Sequence, residues 1–155
     1  LTFVSRASKR VSDVVVAAAV ALWLLSLWCP AIKPRGGRSV PGYEILLKGF
    51  EATEFGVFAW FANPLFWVAV VCAALRRHRA ALLASGLSLF FALQSFAAAP
   101  LARRQGGPSL ELAFELGFFV WLAAPTLLGS VAGIAVWREL RERHALGGAA
   151  HDTRD

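Results

Sequence analysis

Few side chains in this 155-residue chain have the type and spacing to do chemistry. Four acids, Glu51, Glu54, Glu111 and Glu115, lie between or beside apolar runs. Gathered at one surface, such carboxylates could hold a proton, a cation or an amine. Paired with Arg103 and Arg104 they would form a structural salt-bridge set instead. Glu111 and Glu115 are four residues apart, so they share a helix face and repel weakly. Ser109 caps a helix expected from residue 110, which places Glu111 in a first turn where the helix dipole favours a negative charge. Glu115 lies deeper and has no such rationale. Asn63 is followed by Pro64 inside an apolar run, so the spacing predicts a kinked helix with an amide near mid-bilayer. That amide either satisfies a carbonyl freed by the proline, or a neighbouring helix, or contributes a polar contact to a ligand or ion path.

The remaining reactive residues form no pattern. His78, His144 and His151 have no Cys, His or Glu partner at ligand spacing on one helix face, which predicts no metal site. Cys29 and Cys72 are too few for a disulfide framework and are expected at opposite membrane faces. No G-x-S-x-G, H-E-x-x-H, C-x-x-C or phosphate loop occurs. The expectation is a chain with no catalytic residue, no cofactor and no enzymatic activity.

The elements that must carry these residues follow from composition. Fifty-seven per cent of the chain is hydrophobic, 17% is charged and the mean hydropathy is +0.58. An ordinary soluble domain runs at roughly 45–50% apolar and about 25% charged. The excess points to an integral membrane protein and excludes a disordered chain or a disulfide scaffold. The net charge of +6 resides in short basic clusters between apolar runs. That is a topology signal rather than a nucleic-acid footprint. The chain has no methionine, so Leu1 reads either as a literally translated TTG start or as a residue inside a longer chain.

Four runs carry no charge: Val14–Cys29, Phe55–Leu75, Ala80–Ala99 and Leu116–Trp137. About 20 residues at ~1.5 Å rise cross a ~30 Å hydrocarbon layer. The runs predict an all-α bundle of four transmembrane helices over about 12–29, 55–75, 80–99 and 110–137, in one domain with a flexible tail from 145 to 155. Ser12 and Asp13 are the expected cap and first-turn acid of the first helix. Trp28-Cys29-Pro30 is not a small-residue cleavage site, so that helix reads as retained rather than as a signal peptide. Lys and Arg number ten on one side of the threading and six on the other. The turn Arg76-Arg77-His78-Arg79 has no adjacent acid. Positive-inside threading then puts both termini in the cytoplasm.

The first outer connector changes character at Pro41. Tyr43, Leu46, Leu47 and Phe50 fall on one helical face and Glu44, Lys48 and Glu51 on another, with Glu44 and Lys48 in the favourable i,i+4 order. This predicts a short amphipathic helix at the outer surface before the second spanning helix. The stretch P-G-Y-E-I-L-L-K-G from Pro41, with F-A-W-F-A-N-P-L from Phe58, resembles a pattern in small bacterial four-helix membrane proteins. The resemblance covers Pro41–Leu65, with the later helices matching by hydropathy alone. It implies the four-helix fold and a bacterial inner-membrane setting, and it implies no catalytic residue. Gly129 and Gly133 form a G-x-x-x-G step that suits close helix packing, either within the chain or against a second copy or partner subunit. The reading is an accessory, assembly or scaffold subunit of a bacterial inner-membrane complex. The alternatives are a small transporter or channel with an acidic outer vestibule, and an immunity-type membrane protein.

Overall fold

The computed structural model describes residues 2–34, 37–97 and 112–151. The chain is mostly helical. Its elements are α1 (Thr2–Trp28), β1 (Pro30–Pro34), β2 (Val40–Pro41), α2 (Gly42–Lys48), α3 (Ala62–Ala74), α4 (His78–Leu93), β3 (Leu112–Phe114) and α5 (Leu116–His151). Three 3-10 segments, Gly49–Phe55, Ala59–Phe61 and Gln94–Ala97, join them. Helix α5 packs along both α1 and α4, and α3 packs on α4. The stretches His78–Phe96 and Leu116–His144 are long and apolar enough to cross a membrane, while Ser12–Trp28 and Ala59–Ala74 are shorter apolar helices.

Several boundaries differ from the sequence expectation. Helix α1 begins at Thr2, so Ser12 and Asp13 lie within it rather than at its cap. Residues 2–11 contain neither proline nor glycine, and nothing in that stretch interrupts a helix. The second run is not one helix from 55. A 3-10 segment ends at Gly56, whose φ of 73° is left-handed, and Gly56 N–H and Val57 N–H close it onto Thr53 and Ala52 carbonyls. The chain then restarts, and α3 forms only from Ala62. The fourth helix begins at Leu116 rather than 110, because residues 112–114 pair as a strand. Its backbone stays helical through His151, over much of the segment expected as a tail.

Segments flanking α1, α2 and α5 meet in a small sheet of order β2-β1-β3, both pairings antiparallel. Ile32 faces Val40 on one side and Phe114 on the other. Prolines sit at the two ends of β1, where a missing ladder donor costs least. The sheet closes on the C-terminal end of α1. Gly42 N–H donates to the Cys29 carbonyl at 3.2 Å and Glu115 N–H to the Ala31 carbonyl at 2.9 Å.

Two glycines make this junction possible. A Cβ on Gly42 would lie 2.3 Å from the Ser26 carbonyl oxygen, and one on Gly117 would lie 2.7 Å from the carbonyls of Cys29 and Pro30. The opposing atoms are backbone and cannot swing aside. Gly86, on α4, has nothing within 4 Å of such a Cβ.

At the other end of α3 the chain reverses within three residues. Arg76 N–H donates to Ala73 O and Arg77 N–H to Cys72 O, the paired bonds of a Schellman cap. Arg76 takes the left-handed conformation there, φ 60°, although it is not glycine. Its guanidinium donates to Asp13 Oδ1 at 2.9 Å, and Arg79 approaches Glu139 at 3.8 Å. The turn that has no acid in sequence thus acquires two in space.

Gly42→Ala and Gly117→Ala are each expected to lower stability by about 1–3 kcal/mol through overpacking. Gly86→Ala is expected to raise it by up to about 1 kcal/mol through helix propensity. Thermal unfolding of the purified protein in detergent measures all three.

Candidate functional site

Asn63 is the polar centre of the helical core. It occupies the second residue of α3, with Pro64 third. Its Oδ1 accepts the indole N–H of Trp23 on α1 at 3.2 Å and that of Trp121 on α5 at 3.0 Å. Its Nδ2 donates to the Trp60 carbonyl at 3.3 Å. That carbonyl lies four residues before Pro64, and it is the one the proline nitrogen cannot serve. The orientation of the amide follows from its partners, since two N–H donors require the oxygen on their side. The kink expected from Pro64 does not arise. A proline in the first turn removes a donor that has no intrahelical partner anyway.

Trp60 extends the same network outward. Its indole N–H donates to the Leu46 carbonyl of α2 at 2.8 Å, and its ring meets Phe50 and Phe61 edge-on. One amide and three indoles therefore connect α1, α2, α3 and α5. Trp23 stacks on Phe66 and meets Trp67 edge-on, which fixes its ring before the hydrogen bond forms.

Next to this network is a cavity of about 260 Å³. Asn63 and Trp121 lie at its floor, and Ser26 and Leu27 at the end of α1 form one wall. Gly117 and Phe118 line it from α5, and Ser95 from the segment after α4. Its roof is α2 with the 3-10 segment that follows, through Ile45, Leu46, Gly49 and Ala52. The roof's other surface exposes Tyr43, Leu47 and Phe50. Little of the lining is polar. Ser26 Oγ already donates to the Trp23 carbonyl at 2.6 Å.

The acids do not occupy equivalent places. Glu51 and Glu54 are exposed on the 3-10 segment Gly49–Phe55, and Glu54 precedes α3 by several residues instead of opening it. Glu115 sits immediately before α5 and is half-buried. Its Oε1 accepts from Ser39 Oγ at 3.1 Å, while its buried Oε2 has no partner among the described residues. Glu111, Arg103 and Arg104 lie outside the described residues. Glu44 turns away from Lys48 and takes both its oxygens to Arg38 Nη2, at 2.9 and 3.1 Å. Among the described residues no three His, Cys, Asp or Glu side chains converge as metal ligands, and Cys29 and Cys72 are free thiols.

Gly129 and Gly133 both face α4. A Cβ on Gly129 would stand 3.1 Å from Ser85 Cβ, and one on Gly133 would stand 3.6 Å from a Leu82 methyl. Sequence reasoning singled out Asn63 but missed its partners. For Trp23, Trp60 and Trp121 the available signal was an indole N–H within an apolar run, which requires an acceptor.

Asn63→Leu leaves two indole donors and a carbonyl unsatisfied, and is expected to cost about 1–3 kcal/mol for each group that stays buried. Trp121→Phe removes the donor together with its need and is expected to cost less. Pro64→Ala is expected to be close to neutral. Melting curves in detergent order the three. Compared with known proteins, the chain matches no family model, no curated protein and no solved structure.

Proposed function

We propose that the chain is a non-enzymatic integral membrane protein, an accessory, assembly or scaffold subunit of a bacterial inner-membrane complex. In this reading α1, α3, α4 and α5 form a four-helix transmembrane bundle with both termini cytoplasmic. The observation that carries it is the placement of polar and apolar side chains. Asn63 Oδ1 accepts from Trp23 and Trp121 and its Nδ2 donates to the Trp60 carbonyl, so most of its hydrogen-bonding capacity is spent on the chain's own elements. Large apolar side chains point outward instead: Leu24 and Leu25 on α1, Val68 and Val71 on α3, Leu83 and Phe90 on α4. A conduit lines its interior with polar groups, whereas a subunit presents its apolar exterior to lipid or to another helix.

The short α3 fits the same reading. Together with the 3-10 turn before it, α3 covers Ala59–Ala74, roughly 24 Å at ~1.5 Å per residue and less than a ~30 Å core. Phe50, Phe58, Trp60 and Phe61 cluster at its start, where aromatic side chains anchor a helix to the membrane interface. Local thinning takes up such a mismatch at modest cost.

Affinity purification in mild detergent with mass spectrometry tests the function. A membrane subunit recovered in stoichiometric amount is the expected result. Recovery of the protein alone, together with ion flux in proteoliposomes that Glu115→Gln abolishes without changing the melting temperature, would support a transporter instead. Threading is tested separately in a background lacking Cys29 and Cys72. A cysteine replacing Arg38, whose side chain is 78% exposed, is expected to react with an impermeant maleimide from outside. One replacing Arg77 is expected to react only after the membrane is opened.

A further inference from the structure

We propose that the cavity beneath α2 binds a single hydrocarbon chain, the acyl tail of a membrane lipid or of a free fatty acid. This goes beyond the subunit reading and does not depend on it, since the cavity lies within one chain.

Size and lining select the ligand. At about 260 Å³ the space is well above the ~150 Å³ of a protein cavity that takes benzene, and below the ~300–1,000 Å³ of sites for drug-sized molecules. A slender apolar chain fits between those limits. The walls offer Leu27, Leu46, Trp60, Phe118 and Trp121. Water needs two to four polar partners to occupy such a space favourably. Asn63 has both oxygen interactions and one N–H committed, and Ser26 has given its proton to the Trp23 carbonyl. What remains among the side chains is one Asn63 N–H, the lone pairs of Ser26 Oγ and the Ser95 hydroxyl, in a wall that is otherwise apolar.

The surroundings indicate how the chain enters. The roof carries apolar side chains on both surfaces. Leu46 faces the cavity while Leu47 and Phe50 are exposed beside it. An acyl chain therefore meets apolar groups on the outside of the roof and on the inside, with no charged side chain in the lining. The polar head of the ligand stays at the sheet end, where Lys33 is exposed, while Arg38 beside it is already paired with Glu44. The Lys33 ammonium suits a carboxylate or a phosphate, so the shared chemistry is an anionic head on one hydrocarbon tail.

The test uses the full chain in dodecyl maltoside and two probes: palmitate carrying a chain-terminal diazirine, and phosphatidylglycerol carrying the same group on one acyl chain. After irradiation, peptides are mapped by mass spectrometry. Labelling is expected at the cavity floor, at Trp121 above all, in excess over exposed Leu83 and Phe90. Ala52→Leu fills part of the cavity from the roof, and Ala59→Leu fills part of it from the 3-10 turn before α3. With an unchanged melting temperature, each is expected to reduce cavity labelling at least tenfold and leave labelling of Leu83 unaltered. Labelling by both probes assigns the site to acyl chains generally, and labelling by one names the source. Equal labelling inside the cavity and on the outer apolar surface, or cavity labelling unaffected by both folded variants, overturns the proposal.

Discussion

A carboxamide in an apolar interior has to be satisfied, and the arrangement of this protein follows from how that is done. Asn63 brings one acceptor oxygen to two indole donors that lie 40 and 58 residues away in sequence. Both indole N–H groups are spent on this one oxygen. The three groups are therefore mutually obligatory. In a low-dielectric interior each hydrogen bond is stronger than in water, and an orphaned partner is correspondingly expensive. The network fixes the approach of α1 and α5 to the start of α3. Through Trp60 and the Leu46 carbonyl it also holds α2 in place above them.

Close backbone approach supplies the second constraint. Ser85 of α4 meets Gly129 of α5, and Ser88 of α4 donates to the Ala62 carbonyl at the start of α3 at 2.8 Å. Serine here fills the role of a small residue. Ser85 is wholly buried and its hydroxyl has no partner among the described residues, so its size rather than its polarity explains the position. At the sheet end, Gly42 lets the start of α2 rest against the Ser26 carbonyl of α1, and Gly117 lets the start of α5 rest against the Cys29 and Pro30 carbonyls just beyond it. At the other end, the left-handed Arg76 closes a turn that glycine would close with less strain. Its charge is retained, and it meets Asp13. Backbone proximity thus organises one end of the fold, and charge pairing organises the other.

Local features of the sequence were the legible ones. Charge-free runs announce apolar helices, and the amphipathic stretch after Pro41 announces α2. The G-x-x-x-G step announces a close contact, though not which helix would face it. What failed depended on partners outside the element that was read, most of them distant in the chain. Glu44 and Lys48 have ideal helical spacing, yet Arg38 is available to Glu44 from outside the helix, and a guanidinium can serve both carboxylate oxygens. Asp13 looks like a helix-start acid until Arg76 arrives from 63 residues away. The sheet was invisible because β1 and β3 are short, carry three prolines with β2, and pair across most of the chain. Asn63-Pro64 was recognised as special, and its carbonyl partner was among the alternatives. The kink was wrong because hydropathy continues unbroken through Gly56 and Phe58, while the helix does not.

That interruption also accounts for the cavity. Hydropathy reports what a residue would rather touch, not whether the backbone is helical. Had the second run been helical from Phe55, side chains of its first two turns would have occupied the space between the end of α1 and the start of α5. The chain instead leaves helical geometry at Gly56 and re-enters it at Ala62, so those positions are taken up by a loosely curved 3-10 path. Such a path cannot interdigitate as a helix does, since its ridges do not match the grooves beside it. Trp60 spans the gap because it has both the length to reach α2 and a donor to bond there. Gly49 gives its ring room, as a Cβ at that position would stand 3.2 Å from it. The space left over is lined by whatever the three helix ends present, and those ends are apolar. A void of this kind costs dispersion contacts along its whole wall. An apolar occupant restores them without asking for hydrogen bonds that the wall has already committed to Asn63.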